Sequence, residues 1–82
     1  MNEEKYLYVV IMNSTREYNI CDCFDIFKDL ELAKEMLKNL YKTTVDFKYY
    51  NYEIKVYRFN NKKYDLTNIS YTYRFDEFIK HS

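Results

Sequence analysis

The sequence predicts an α+β domain in which one amphipathic helix lies across one face of a four-stranded, mostly antiparallel sheet. Apolar residues recur at helical spacing only between Asp29 and Lys42, whereas the segments on either side alternate like strands. The connections within each pair of strands are short enough for hairpins, which pair strands antiparallel. The element order is therefore ββαββ, with the helix crossing between two hairpins in two layers.

The helix has the clearest pattern in the chain. Asp29 is the expected N-cap residue, and Lys42 near the other end suits the negative pole of the helix. At about 100° per residue, the apolar side chains fill one arc of roughly half the circumference. They are Leu30, Leu32, Ala33, Met36, Leu37, Leu40 and Tyr41. An apolar face this broad needs a sheet to cover it.

The first hairpin precedes the helix. The segment from Lys5 to Met12 is apolar in both phases of its alternation, and we assign the phase containing Leu7 to the helix side. A polar turn over residues 13–17 leads into a second strand over residues 18–27. Asp22 interrupts the alternation of this second strand, which indicates a bulge or an exposed edge.

The second hairpin follows a loop over residues 45–51 that carries Phe47. Residues 52–59 form a regular strand, with Ile54 and Val56 in its core-facing phase. Asn60 and Asn61 tolerate positive φ and predict a tight turn into a fourth strand over residues 64–73. We expect residues 76–82 to form one helical turn or to fray, and residues 1–82 to make a single domain.

The composition narrows the function classes. The chain of 82 residues has 13 basic and 13 acidic side chains, which argues against a polyanion binder that relies on excess positive charge. Glycine, proline and tryptophan are absent, while Phe, Tyr, Asn, Lys and Ile make up half of the chain. Codons for those five residues are A/T-rich, so we expect an AT-rich genome such as that of a low-GC bacterium or its phages.

Location follows from what the sequence lacks. Two acidic residues precede the first lysine and the N-terminal apolar run is short, which predicts no secretion signal. No stretch reaches the roughly 20 apolar residues of a membrane span. We therefore expect a cytoplasmic protein without a membrane partner, located in the host cytoplasm if a phage encodes it.

Residue types that support catalysis or metal binding are scarce. Cys21 and Cys23 share one strand face, but a structural zinc site needs four ligands and the chain has no other cysteine. His81, the one histidine, lies at the end of the chain. A phosphate-binding loop needs glycine for close backbone approach, and glycine is absent. We expect no enzyme activity, no metal and no cofactor.

The strongest candidate for a site is an aromatic sheet face turned away from the helix. Such a patch, bordered by basic residues, is typical of a partner surface. The partner-binding residues predicted on this basis are Tyr6, Tyr8, Met12, Lys55, Tyr57, Arg58, Phe59 and Lys62. The competing interpretation is that the C-terminal segment covers this face and makes these residues part of the core.

The segment from Leu7 to Phe59 resembles a family of short uncharacterised ββαβ-type proteins from phages and bacteria. The matching pieces are Tyr8-Val9-Val10, Phe24, Ala33 with Leu37, Phe47, and Tyr52-Glu53-Ile54 with Tyr57. The resemblance implies a fold but no activity and no functional residue. In size, composition and lack of catalytic residues the chain is also similar to phage-encoded inhibitors of bacterial defence, such as anti-CRISPR proteins.

These observations lead to one main hypothesis and two alternatives. The main hypothesis is a non-enzymatic phage or mobile-element protein that inhibits a host protein, such as a defence nuclease or its complex, by occluding its surface. The first alternative is a nucleic-acid-associated domain that stacks bases on the aromatic face and contacts phosphates through Lys55, Arg58, Lys62 and Lys63. The neutral net charge disfavours it. The second alternative is a homodimeric structural module.

Overall fold

The computed structural model describes residues 5–14, 21–44 and 50–82, and within these ranges it is an α+β fold with one helix and five strands. The elements are β1 (Tyr6–Ser14), β2 (Cys21–Phe27), α1 (Leu30–Thr43), β3 (Tyr50–Asn60), β4 (Lys63–Arg74) and β5 (Glu77–His81). Residues 15–17 of the predicted turn, 18–20 of the second predicted strand and 45–49 of the predicted loop, Phe47 included, lie outside the described residues.

All five strands form one antiparallel sheet in the order β2-β1-β3-β4-β5. The predicted class is confirmed, but the predicted number of four strands is wrong. Residues 77–81 pair with the end of β4 instead of forming a helical turn, with Tyr73 opposite Phe78. Five residues are too few for a stable isolated helix, whereas a hairpin partner supplies their backbone hydrogen bonds.

Two hairpin turns are built without glycine. Asn61 and Lys62 have φ of 49° and 66°, and Phe75 and Asp76 have φ of 51° and 62°. Positive φ at both central residues is the signature of a type I′ turn, whose twist matches that of the strands it joins. The first turn lies one residue later than the predicted Asn60-Asn61 turn, because Asn60 still pairs with Lys63.

Two strand pairs, β1 with β2 and β3 with β4, contain an irregularity in their pairing. Val10 pairs with Asp25 and Ile11 pairs with Cys23, so the extra residue of β2 is Phe24 and not the predicted Asp22. The prediction that this strand is exposed at an edge is confirmed, because β2 is the outermost strand.

The second irregularity inserts two residues into β4. Lys55 pairs with Ser70 but Tyr57 pairs with Leu66, so three residues of β4 oppose one residue of β3. The Thr67 hydroxyl donates a hydrogen bond of 2.8 Å to the Val56 carbonyl oxygen, which satisfies an acceptor that the interrupted pairing leaves free. Because two extra residues preserve alternation, each side chain beyond the insertion stays on its face.

The helix packs over the centre of the sheet. Ala33 and Leu37 are fully buried against Val10 and Ile54, and Tyr52 and Tyr73 join the same cluster. The predicted phase of β1 is wrong: Tyr8, Val10 and Met12 face the helix, because they pair with Val56, Ile54 and Tyr52. Leu7, Val9 and Ile11 therefore lie on the opposite face.

The helix ends are capped by side chains. The Asp29 carboxylate accepts the Glu31 amide at 2.8 Å, which confirms Asp29 as the N-cap. The helix ends at Thr43, one residue beyond the predicted Lys42. The hydroxyl of Thr43 donates to the Asn39 carbonyl oxygen at 2.7 Å. Leu32 is 51 % exposed, so the buried stripe is narrower than the predicted apolar arc.

Tyrosine rings close the core at the C-terminal end of the helix. The Tyr41 ring meets the rings of Tyr52 and Tyr73 edge-on, at centroid distances of 5.3 Å and 5.0 Å. Among the described residues, no group makes a hydrogen bond with the buried Tyr52 hydroxyl, and the nearby Thr44 hydroxyl donates to the Leu40 carbonyl oxygen. Burial raises the pKa of Tyr52 by more than the proximity of Thr44 lowers it. Burial also raises the pKa of Tyr73, and the Asp76 carboxylate adds to this effect.

The packing of Leu37 predicts a large loss of stability on truncation. Leu37→Ala should lower the free energy of unfolding by about 2–5 kcal/mol, because it leaves a cavity beneath the helix. Leu32→Ala is the matched control, since it makes the same change in the same helix at a side chain that is 51 % exposed. Urea titrations followed by circular dichroism compare the two, and equal losses would contradict the packing described.

The tyrosine cluster predicts loss of stability in alkali. The pKa values of Tyr52 and Tyr73 are raised above the reference value of 10.0, so the folded state holds these protons more tightly than the unfolded state. The contribution is therefore complete below pH 10 and is lost as pH rises through the higher folded values. Tyr52→Phe should reduce this loss and raise stability at pH 7 by up to about 1 kcal/mol, because it removes a buried hydroxyl that has no hydrogen-bond partner among the described residues.

The measurement is the urea midpoint at several pH values between neutrality and strong alkali. Tyr64→Phe is the control, because Tyr64 is 41 % exposed. If the Tyr52→Phe variant is clearly less stable than the wild type at pH 7, the Tyr52 hydroxyl of the wild type must form a hydrogen bond.

Candidate protein-binding face

The sheet face turned away from α1, here called the open face, carries a continuous set of apolar and aromatic side chains. Its members follow from the alternation of each strand and the pairing between strands. The described apolar members are Leu7, Val9, Ile11, Ile26, Tyr57, Phe59, Tyr64, Leu66 and Ile79. Within the described ranges, no helix or strand lies over this face.

Several of these side chains are strongly exposed. Leu66 and Ile26 are 56 % and 53 % exposed, and Phe59, Tyr64 and Ile79 are between 37 % and 41 % exposed. Five of the seven exposed large hydrophobic side chains in the described residues therefore belong to the open face. Ile11, between β2 and β3, is buried. An exposed apolar area of this extent is typical of a surface that meets a partner.

The apolar residues concentrate at one end of the face. The Phe59 and Tyr64 rings lie 5.1 Å apart beside the turn between β3 and β4, and Tyr57 pairs with Leu66 next to them. A cross-strand aromatic pair of this kind stabilises the hairpin as well as widening the apolar area. The Phe59 amide also donates to the Lys5 carbonyl oxygen at 2.8 Å, which ties the base of this end to β1.

Charged residues on the open face are balanced in sign. The Lys55 ammonium lies 3.7 Å from the Glu53 carboxylate, and Arg74 pairs in register with Glu77. His81 continues this polar end, where its Nε2 shares a hydrogen bond of 2.9 Å with the Thr72 hydroxyl. Mixed charge beside an apolar area suits a protein surface better than a phosphate backbone, which needs unopposed cations.

The structure splits the sequence-predicted site into two groups. Lys55, Tyr57 and Phe59 lie on the open face as expected. Tyr6, Tyr8 and Met12 do not join them, because β1 presents these side chains to the helix side. Arg58 pairs with Tyr6 and Asp65, so it also belongs to the helix side of the sheet. Lys62 lies exposed in the turn between β3 and β4.

Sequence reasoning missed the contributions of β2, β4 and β5 to the open face. Ile26, Tyr64, Leu66 and Ile79 were not predicted, because their strands are irregular or were not recognised. For β1 the one available signal was Asn13, a polar residue in the same phase as Leu7, Val9 and Ile11. Both phases of β1 are otherwise apolar, so alternation alone cannot orient the strand.

A cleft lies beside the start of β1, and side chains of both strand phases line it, among them Tyr6 and Tyr8 of the predicted site. Its volume is about 410 Å³, and it is lined by Lys5, Tyr6, Tyr8, Lys28 and Tyr64. The Tyr6 and Tyr8 rings are 6.4 Å apart. Burial raises the pKa of the Tyr8 hydroxyl, with smaller contributions from Tyr71 and the Asp29 carboxylate, so this group stays protonated at neutral pH.

A second cavity of about 250 Å³ lies at the end of the sheet near the C-terminus of α1. Its walls come from Tyr41, Tyr50, Asn51, Tyr52, Tyr73, Arg74 and Phe75. The Arg74 guanidinium stacks over the Phe75 ring at 5.3 Å, at the turn between β4 and β5. Phe75 is 80 % exposed, so this ring lies largely in solvent at the turn.

Neither a metal-binding cluster nor a membrane-spanning helix is found among the described residues. Residues 5–14, 21–44 and 50–82 contain no group of three or more histidine, cysteine or acidic side chains that could hold a metal ion. The side chains of Cys21 and Cys23 fall outside the description. No helix found in those ranges combines the length and apolar character needed to cross a membrane.

Comparison with known proteins leaves the geometry as the basis for assigning a function. No protein-family model, no curated protein and no solved structure matches the chain.

Proposed function

We propose that this is a non-enzymatic binding protein that acts by covering the surface of another protein with its open face. The observation that carries the proposal is the concentration of exposed apolar side chains on the sheet face away from α1. The chain is similar in size and composition to phage-encoded inhibitors of bacterial defence, and on this basis we propose a host defence protein as the target.

The dimensions of the open face fit a protein partner. Five strands at about 4.8 Å spacing and roughly 3.3 Å per residue give a face of about 20 by 30 Å, or roughly 600 Å². Side-chain relief raises its accessible area above this projection. A standard protein–protein interface buries about 800 Å² on each partner, so the face is large enough for specific binding.

The side chains of the open face also favour a protein over a nucleic acid as the partner. Phe59, Tyr64 and Leu66 provide an apolar area beside the balanced charges of Glu53 and Lys55. The partner surface that fits is an apolar patch flanked by both acidic and basic groups. Single-stranded nucleic acid fits less well, because Lys55 already faces a carboxylate at 3.7 Å.

The proposal is tested with Tyr57→Ala combined with Phe59→Ala. This double variant should remain folded but lose the bound host protein, because aromatic side chains dominate interface energies, at about 2 kcal/mol or more for each hot-spot residue. Phe75→Ala is the matched control, since it removes an aromatic ring that is 80 % exposed and lies outside the open face. Capture from a low-GC bacterial lysate with identification by mass spectrometry compares the three proteins.

Three outcomes would contradict this function. Unfolding of the double variant would mean that these rings belong to the core. Capture of the same proteins by the double variant would exclude the open face as the binding surface. Light scattering that shows a dimer in the wild type and a monomer in the double variant would assign the face to a second copy of the chain.

A further inference from the structure

The strand β5 is an outermost strand with a regular free edge. Within the described ranges, β2 and β5 end the sheet, and no strand pairs with the outer side of β5. The edge at β2 is interrupted by the bulge at Phe24, and the Ile26 amide already donates to the Asp25 carboxylate at 2.7 Å. Bulges protect an edge from pairing with another chain. The pairing of β5 with β4 has no such irregularity.

The turn between β4 and β5 determines which backbone groups of β5 point outward. It has two central residues with positive φ, so the flanking pair of Arg74 and Glu77 exchanges both of its hydrogen bonds. Hydrogen-bonded and non-hydrogen-bonded pairs alternate along an antiparallel ladder. The amide and carbonyl groups of Phe78 and Lys80 therefore point away from β4, toward the free edge.

Packing against the core holds this edge in place. The partly buried Phe78 ring lies 4.7 Å from the Tyr73 ring and packs against the core cluster beneath α1. A strand that docks here therefore meets backbone groups that are already extended. Little conformational freedom of this chain is lost on docking, which favours binding.

The helix side of this edge carries an excess of positive charge. Lys34 and Lys38 place their ammonium groups 5.3 Å and 5.6 Å from the centroid of the Phe78 ring. Lys80 follows Phe78 by two residues, so it lies on the same face of β5. The Glu31 carboxylate lies 3.9 Å from Lys34. Neither Lys38 nor Lys80 forms an ion pair with another described residue.

This charge determines which strand fits the edge. In an antiparallel pair of two β5 strands centred on Ile79, Lys80 of each copy would lie opposite Phe78 of the other. It would then face the two helix lysines beside that ring, so like charges disfavour a second copy. An acidic strand instead places carboxylates beside the same lysines. On the other face Ile79 is 37 % exposed, and an apolar side chain suits the position opposite it.

We propose that the free edge of β5 binds an extended acidic segment of a partner protein, which pairs antiparallel as an added strand. Its acidic side chains lie opposite Phe78 and Lys80, and an apolar side chain lies opposite Ile79. The backbone hydrogen bonds provide affinity, and the lysines select for acidic sequences. The site does not depend on the open-face function, because its hydrogen-bonding groups lie in the plane of the sheet and its lysines lie on the helix side.

Fluorescence anisotropy of a labelled peptide of alternating Glu and Val, added to the full chain, tests this edge. The peptide should bind, and a peptide of alternating Lys and Val should bind at least roughly tenfold more weakly because of charge repulsion. N-methylation of the Glu amides should abolish binding, since these amides would donate to β5. N-methylation of the Val amides is the matched control and should preserve binding, since those amides would face away from β5.

Variants of the chain test the same contacts from the other side. Lys38→Gln combined with Lys80→Gln should weaken binding of the Glu-Val peptide roughly tenfold, because two charge-assisted contacts are lost. Lys28→Gln combined with Lys62→Gln is the matched control, since it removes the same charge from two exposed residues that lie away from β5. Lys80→Pro should weaken binding more than Lys80→Gln, because proline also removes the outward amide while the hydrogen bonds to β4 remain.

Four outcomes would overturn the proposal. They are no change in anisotropy with about 1 mM of the chain, equal binding of the two N-methylated peptides, and equal affinities of the two lysine double variants. The fourth is a wild-type dimer in light scattering that Lys80→Pro dissociates, which would assign the edge to a second copy. The Tyr57→Ala, Phe59→Ala variant should bind the peptide as the wild type does, so failure of the open-face function would leave this result unchanged.

Discussion

The pairing of β1 with β3 is the constraint on which the rest of the structure depends. Strand side chains alternate between faces, so a shift of one residue would exchange every buried side chain of β1 for an exposed one. The observed register places Val10 opposite Ile54 and Met12 opposite Tyr52, directly beneath α1. This choice gives the helix large side chains to pack against and leaves Leu7 and Val9 on the open face. The buried core and the open face therefore follow from one register.

The open face and the cleft at the start of β1 are built from different parts of the fold. The open face is built across the paired strands, so its shape depends on backbone hydrogen bonds and on the buried layer behind it. The cleft lined by Lys5, Tyr6 and Lys28 lies at the start of β1, next to the first turn of α1. A rigid sheet favours binding through a preformed surface, since little side-chain or backbone freedom is lost when a partner docks.

The sequence predicted the helix well because a fourteen-residue segment repeats its pattern over several turns. The N-cap Asp29 was identified correctly because its carboxylate has a specific role at the first turn. The phase of β1 was predicted wrongly because both of its faces are apolar, so local pattern contains no information about orientation. That information lies in β3, where Ile54, 44 residues after its partner Val10, and Val56 alternate clearly with Glu53 and Lys55.

The candidate site was predictable only in part for the same reason. Tyr57 and Phe59 were placed on the correct face because β3 alternates regularly. Leu66 was missed because three residues in the middle of β4 interrupt its pairing, and Ile79 was missed because β5 is too short to show a period. Strands of five residues at the end of a chain depend on their neighbours for stability and show this dependence weakly in sequence.

The two-residue insertion in β4 divides the second hairpin into parts that can evolve separately. On the C-terminal side of the insertion, Tyr73 is part of the core beneath the helix and Tyr71 packs against that core. On the other side, Tyr64 and Leu66 are exposed, and an even number of added residues leaves the alternation of the core unchanged. The length of the hairpin tip can therefore change by pairs of residues without moving the core side chains to the other face. A lineage under pressure to follow a changing partner would find here a surface that can diverge without loss of the fold.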